Sequence, residues 1–298
     1  MSGPIVSVVI CFLNGAEFLP AAIDSVLAQT MKDFELFLVD DGSTDGSSKI
    51  AKDYAAVDPR LSYLEHAGHV NLGLSASRNV GIRASTGDFI ALLDADDVWA
   101  PDKLDEQLAI FALHPELGMV CGATRYWSSW ADGDDRIVPS GPWQDVPVQP
   151  PDASLLTYPL GGADAPCPSD LLLRRSLVLE LGGFEEHFRR PYHLYEDQAF
   201  LAKLYLAAPV YFAGEVWLDY RQHPNSIIAT LGTGPTYHQV RRYFLEWLEG
   251  YLADRPAVDP RVAAAVKRAL FQYRAPRRYA ALRWLTRQRA RLVRLINA

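Results

Sequence analysis

Asp94, Asp96 and Asp97 place three carboxylates within four residues, directly after the apolar run Phe89-Ile90-Ala91-Leu92-Leu93. A buried strand has no need of such a cluster. Close negative charges repel one another unless a cation or hydrogen-bond donors compensate them. A hard divalent cation with oxygen ligands is one compensation, and a phosphorylated substrate would complete its shell. A solvated turn before the helix that begins at Pro101 is the other reading of the same residues.

Alternating elements decide between them. Pro4 to Leu13, Phe34 to Val39, Leu61 to Leu64, Phe89 to Leu93 and Leu117 to Ala123 read as short buried strands. Between them, Glu17–Thr30, Gly46–Ala56, Ser75–Ser85 and Pro101–His114 carry helical spacing or cap residues, with Ser75 as the expected N-cap of the third. Strand alternating with helix predicts βαβ units and a mostly parallel sheet. Ligands sit at the carboxyl ends of such strands. Cys11 to Asn14, Asp40-Asp41 and Asp94 to Asp97 all fall there, which favours a site over a decorative turn.

Farther on the pattern changes. Trp127 to Pro168 is rich in Pro, Gly, Asp and Trp and reads as long loops with a hairpin near a site mouth. Asp170 to Val178 predicts a strand and the start of a helix. Gly182-Gly183-Phe184 predicts a turn, and Tyr195 to Leu206 an amphipathic helix. Val210 to Ala213 and Glu215 to Tyr220 predict strands, and Tyr237 to Leu252 a helix. Two basic helices flank Pro276, and Arg283, Arg287, Arg291 and Arg294 share one face of the second, opposite Leu282, Leu285, Leu292 and Ile296. That is the pattern of an interfacial helix or of one packing its apolar side on the body.

Of 298 residues, 49% are hydrophobic and 22% charged, an ordinary globular composition that excludes disorder as the default. The net charge of −7 hides an asymmetry. Arg261 to Ala298 holds eleven Lys and Arg and no acid, which leaves 18 basic against 36 acidic residues in the body. An acidic body argues against nucleic acid as its partner, and the basic end points to an anionic membrane surface. Cys11, Cys121 and Cys167 are scattered and odd in number, which predicts a reducing compartment without disulfides or zinc. Met1-Ser2-Gly3-Pro4 lacks the basic start of a signal peptide, and Ile5 to Leu13 is too short to span a bilayer, so the expected location is cytoplasmic, with the basic end peripheral on the inner face of the membrane.

Taken in order, the motifs resemble family 2 glycosyltransferases of the GT-A fold. They are Val6 to Ile10 with Asn14, Ser25 to Thr30, Phe34-Glu35, and Val39 to Asp45. Asn71 to Gly81, Gly87 to Ile90, Asp94 to Asp97 with Pro101, Gly182 to Phe184, Glu196-Asp197 and Tyr220 to His223 follow. The resemblance implies residues 1–230 as the transferase domain, with a nucleotide-sugar half at 1–124 and an acceptor half at 125–230, and 231–298 as a basic helical extension. It implies that Asp41 contacts the nucleotide base with Cys11 beside it. Asp94 and Asp96 match the Asp-X-Asp pair, Asp96 as metal ligand and Asp94 at the ribose or metal. Asp197 matches the catalytic base, with Glu196 next to it on the substrate. His223 stands where some members place a histidine near the metal or diphosphate, and Arg78 is implied at the donor or in a structural ion pair. Where the family often has Pro or Thr and then Tyr before the Asn, this chain has Cys11-Phe12-Leu13.

The implied reaction moves a sugar from a nucleotide diphosphate, a UDP-sugar by frequency in the family, to a hydroxyl of a glycan or lipid-linked glycan. Mn²⁺ or Mg²⁺ would neutralise the leaving diphosphate, and one base implies a single displacement with inversion. Two rivals stand beside it. A sugar nucleotidyltransferase would want a basic Gly-rich loop after the first strand, and Cys11 to Glu17 contains no Lys or Arg. A non-catalytic sugar-binding subunit would be expected to have lost Asp41, Asp96 or Asp197, and all three are present.

Overall fold

The computed structural model describes residues 4–285, apart from 225, 227–228, 231–233 and 256. The first half runs β1 (Val6–Phe12), α1 (Leu19–Leu27), β2 (Phe34–Asp40), α2 (Ser47–Val57), β3 (Leu61–Glu65), α3 (Leu74–Ala84), β4 (Phe89–Asp94), β5 (Val98–Trp99) and α4 (Lys103–Leu113). It continues through β6 (Met119–Trp127), β7 (Arg136–Val138), β8 (Pro147–Val148), α5 (Asp152–Leu156), β9 (Leu172–Arg174), α6 (Arg175–Glu180) and α7 (Glu196–Ala207). β10 (Val210–Arg221), α8 (Gly234–Ala253) and α9 (Pro260–Arg274) complete the named elements. Residues 276–285 form a further helix.

One mixed, mostly parallel sheet organises the molecule, in the order β3-β2-β1-β4-β9-β6-β10-β5. β3, β2, β1 and β4 are mutually parallel, β6 and β10 are parallel, and β9 joins the two sets as an antiparallel strand. Period-two alternation divides β1 between two cores. Val6, Val8 and Ile10 pack with Leu19 and Ile23 of α1 and with Leu104 of α4. Val9 and Cys11 face Ile82 of α3, in a cluster that reaches Phe200 and Leu204 of α7. Each fully buried aliphatic side chain contributes about 1.5–3 kcal/mol relative to exposure. A Cβ at Gly81 would stand 2.4 Å from Val9 Cγ1, so this glycine lets α3 lie close on β1.

Several sequence expectations change in detail. Ser75 is not the N-cap of α3: Gly73, with φ +94°, makes the turn, and Ser75 lies buried in the first turn with its hydroxyl unpartnered. Helix α7 is not amphipathic, because Ala199 packs toward α8 and α9 while Phe200, Leu201, Leu204 and Tyr205 pack toward the sheet. The two strands expected over 210–220 are one strand, whose pairing with β6 shifts between Phe212 and Val216 and again before Leu218. The hairpin expected after Trp127 starts earlier, inside β6, where Thr124 pairs Val138. The expected interfacial face at Arg287, Arg291, Arg294, Leu292 and Ile296 lies outside the described residues.

Candidate active site

Register brings the loaded strand ends together. Cys11 is opposite both Val39 and Asp94, and Phe12 is opposite Asp40. Loop-to-loop hydrogen bonds fix this edge: Asn14 Oδ1 accepts from the Thr44 amide at 2.7 Å, and the Asn14 amide donates to Ser43 Oγ at 3.1 Å. Asp40 holds its own turn. Burial pushes its carboxyl up, but hydrogen bonds from Ser48, Ser43 and Tyr63 outweigh that and keep it below the usual carboxylate value.

Arg78 is the hinge of the next layer. Its guanidinium is 2% exposed and reaches out from α3. Nη2 donates to Asp94 Oδ1 at 2.7 Å, and Nη1 donates to Glu196 Oε1. The first chain half is thereby tied to α7 by charge-assisted bonds. Of the two roles implied for Arg78, the structure displays the ion pair. Removing one partner of a buried pair leaves uncompensated charge and costs about 3–5 kcal/mol. Arg78→Met is therefore expected to lower unfolding free energy by about that amount in urea titration. A variant as stable as the parent would mean that the bridge holds nothing together.

The three carboxylates of the opening cluster have separate jobs. The Asp97 amide donates to the Asp94 carbonyl at 3.1 Å, so the chain turns directly after β4. Asp94 faces Arg78, whereas Asp96 Oδ2 lies 2.8 Å from His223 Nε2. Asp97 is fully buried and accepts from Ser169 Oγ at 2.5 Å and from the Arg221 amide at 2.9 Å. Burial, with Asp96 and Asp94 nearby, raises its carboxyl well above the usual value. Asp97 thus supports the turn and anchors β10. Arg221 packs among Phe18, Trp127 and Trp130, 4.3 Å from the Trp127 ring centre, and its Nε donates to the Asp96 carbonyl at 2.8 Å.

Among the described residues, no group of three His, Cys, Asp or Glu side chains is arranged to hold a metal ion. Asp94, Asp96 and His223 do not assemble into one ligand set, because Asp94 is turned to Arg78. Asp96 and His223 are a compatible pair of ligands for a cation whose remaining positions go to phosphate oxygens and water.

Asp197 opens α7 and lines a cavity of about 380 Å³ together with Asp94 and Glu196. Its carboxylate accepts from the Gln198 amide at 2.7 Å and from Gln198 Nε2 at 3.1 Å. Burial raises its carboxyl above the ordinary value despite those bonds. Glu196 is raised to about 7, first by burial and also by Asp197, against the pull of Arg78. A carboxylate base works only when ionised. With Asp197 in the role that the resemblance implies, activity should fall as pH drops through its raised value, and the acid limb of kcat/KM should lie above the usual carboxylate range. An acid limb at or below the ordinary value for Asp would contradict this.

Asp41 and Cys11 are less open than the resemblance implies. Asp41 Oδ1 accepts from the Leu72 amide at 2.8 Å and the Gly73 amide at 3.0 Å, and His66 Nε2 lies 3.5 Å away. Cys11 is buried in the cluster with Val9 and Val39, and burial pushes its thiol far up. Sequence spacing gives no role to Arg221, although it sits inside the Tyr220–His223 motif, nor to Tyr158, Tyr195 and Tyr237 of the cavity. Tyr158, Tyr195 and Tyr237 meet by their hydroxyls, with Tyr158 to Tyr237 at 2.8 Å. No spacing could have signalled that, since the three lie in different parts of the chain.

Residues 7–139 match the family model "Glycosyl transferase family 2". Bacillus subtilis putative glycosyltransferase EpsE is 37% identical over 142 residues, covering 47% of this chain and 50% of EpsE. An uncharacterized glycosyltransferase of Nostoc is 32% identical over 173 residues, covering 58% of this chain and 52% of its own length. The matches thus span about half the length of these relatives. Staphylococcus aureus TarS in complex with UDP-GlcNAc shares the fold with a TM-score of 0.63 at 20% identity, over 80% of this chain and 65% of that one. Mannosyltransferase PcManGT from Pyrobaculum calidifontis, in complex with GDP-Man and Mn²⁺, gives 0.58 at 18% identity, over 92% and 71%.

Proposed function

We propose that this chain, whose residues 7–139 match the family 2 glycosyltransferase model, transfers a sugar from a nucleotide diphosphate, a UDP-sugar first among candidates, to a glycan hydroxyl with inversion. The observation that carries this reading is the division of acids along one sheet edge. Asp96 meets His223, whereas Asp94 lines the cavity with Asp197. The donor half is residues 1–124 and the acceptor half 125–230.

Asp197 takes the proton of the acceptor hydroxyl as the glycosidic bond forms. Glu196 and Arg78 hold α7 against β4 and so fix the distance from that base to the strand end. Asp94 stays aimed at the ribose side through Arg78, and Asp41 takes the base side of the nucleotide. Asp96 and His223 would hold Mn²⁺ or Mg²⁺, which supplies charge neutralisation on the departing diphosphate. A panel of UDP-, GDP- and dTDP-sugars, scored by thermal stabilisation with Mn²⁺ present, tests the donor class. A clear shift with one nucleotide class supports the reading, and none with any of them argues against it.

No helix among the described residues is long and apolar enough to cross a membrane. Peripheral attachment of the basic end is part of the same proposal. Arg277, Arg278 and Arg283 lie along residues 276–285, where Trp284 and Leu285 are exposed. Deleting 277–298 is expected to move the protein from vesicles containing anionic lipid to the supernatant on flotation. Unchanged flotation would assign the basic end another role.

A further inference from the structure

The cavity beyond Asp197 carries more information than a place for a hydroxyl. We propose that it is an acceptor subsite that selects a pyranose bearing no negative charge, and that α8 completes it through Tyr237. This rests on the transferase reading above and goes beyond it by naming the acceptor class.

Three observations support it. First, the walls are amphipathic rings. Tyr126 and Tyr220 meet edge to face at 5.2 Å, and Tyr158, Tyr195 and Tyr237 join by their hydroxyls. Such walls give a sugar ring apolar faces and hydroxyl partners together. At about 380 Å³ the space is near the low end for small-molecule pockets, which run to roughly 300–1,000 Å³.

Second, the charge is one-sided. Asp94, Asp164, Glu196 and Asp197 line the cavity, and among the described residues no Lys or Arg does. Arg78 lies behind the wall, already shared by Asp94 and Glu196. Arg241 lies behind the tyrosines, on the Pro159 carbonyl at 3.1 Å. Arg136 stacks on Tyr126 without lining the space, and Arg190 acts only as a charge beside His193. His193 itself is lowered by burial and by Arg190, which disfavours its charged form. A uronate or phosphate there would meet like charge in a partly desolvated site, where repulsion is poorly screened.

Third, a residue of the cavity wall carries a polar atom without a partner. Glu196 is 4% exposed, and its Oε2 is buried without a hydrogen-bond partner. Leaving such an oxygen unmet is costly, which marks this stretch of wall as one that a bound polar group could reorganise. Tyr237 comes from α8, so residues formally assigned to the helical extension belong to the acceptor wall.

The test uses the full chain with Mn²⁺. UDP is titrated first by calorimetry; if UDP does not bind, the donor reading falls and the subsite is judged separately by the sugars. Saturation-transfer NMR then compares methyl pyranosides of the gluco, galacto and manno series with the matching methyl uronides. At least one neutral pyranoside should bind, with its uronide at least tenfold weaker. Asp164→Asn should narrow that gap, and Tyr237→Ala should weaken the neutral sugar while leaving the UDP isotherm in place. Binding of no pyranoside, or uronides binding as well as their neutral partners, would overturn the proposal. A Tyr237→Ala variant with parental pyranoside affinity would remove α8 from the subsite.

Discussion

Asp197→Asn should reduce sugar transfer by about 10²–10⁴-fold, the usual contribution of a positioned general base. The substitution keeps the shape of the side chain and most of its bonds. Asn can still accept from the Gln198 amide, which lies 2.7 Å from Asp197 Oδ1. It cannot take a proton at neutral pH. Donor affinity should stay within a few-fold of the parent, because the predicted donor contacts at Asp41, Asp94 and Asp96 are untouched. The loss should therefore fall on kcat and not on donor KM. A variant with parental turnover would remove Asp197 from the chemistry and leave Glu196, raised to about 7, as the neighbouring carboxyl to examine.

The second large effect concerns the metal. Chelation by EDTA should stop turnover, and added Mn²⁺ or Mg²⁺ should restore it. Asp96→Ala should reproduce the chelated state, with a loss on the order of 10²-fold or more, the scale for removing one preorganised group that stabilises developing charge. This residue is the better probe because its side chain is half-buried and, among the described residues, meets His223 by a short bond, 2.8 Å long. Asp97 is the wrong one to change. It is fully buried against Ser169 and the Arg221 amide, so its loss would damage the fold before it reported on an ion. His223→Ala should weaken the apparent Mn²⁺ affinity less than Asp96→Ala does, since a neutral imidazole offers less to a hard cation than a carboxylate. Full activity in EDTA would separate the Asp96–His223 pair from metal binding.

The parallel half of the fold was legible because its signals are local. β1, β2 and β4 are short apolar runs with polar residues at their ends, and neighbouring pairing puts those ends together. The Asp94–Asp97 cluster was legible as a charged strand end and illegible in its wiring. Two carboxylates separated by one residue would face the same side of a continuing strand, but the turn after Asp94 sends Asp94 to Arg78 and Asp96 to His223. Helix α7 misled for a related reason. Its period suggests one apolar face, yet it is packed by the sheet on one side and by α8 and α9 on the other. Tyr158, Tyr195 and Tyr237 carried no spacing at all, since their meeting depends on how the helical extension docks. Arg78 lay between two roles in sequence, and only the position of Glu196 across from Asp94 shows which contacts it makes.

The central claim is a single metal-assisted displacement on a nucleotide-sugar. Time-resolved proton NMR of an α-linked UDP-sugar incubated with the chain and Mg²⁺ tests it most directly, because slow hydrolysis needs no acceptor. The account predicts release of UDP and a first-formed sugar in the β configuration, before mutarotation, with both signals absent when EDTA is present. Release of the α anomer first, or release that ignores EDTA, would contradict it.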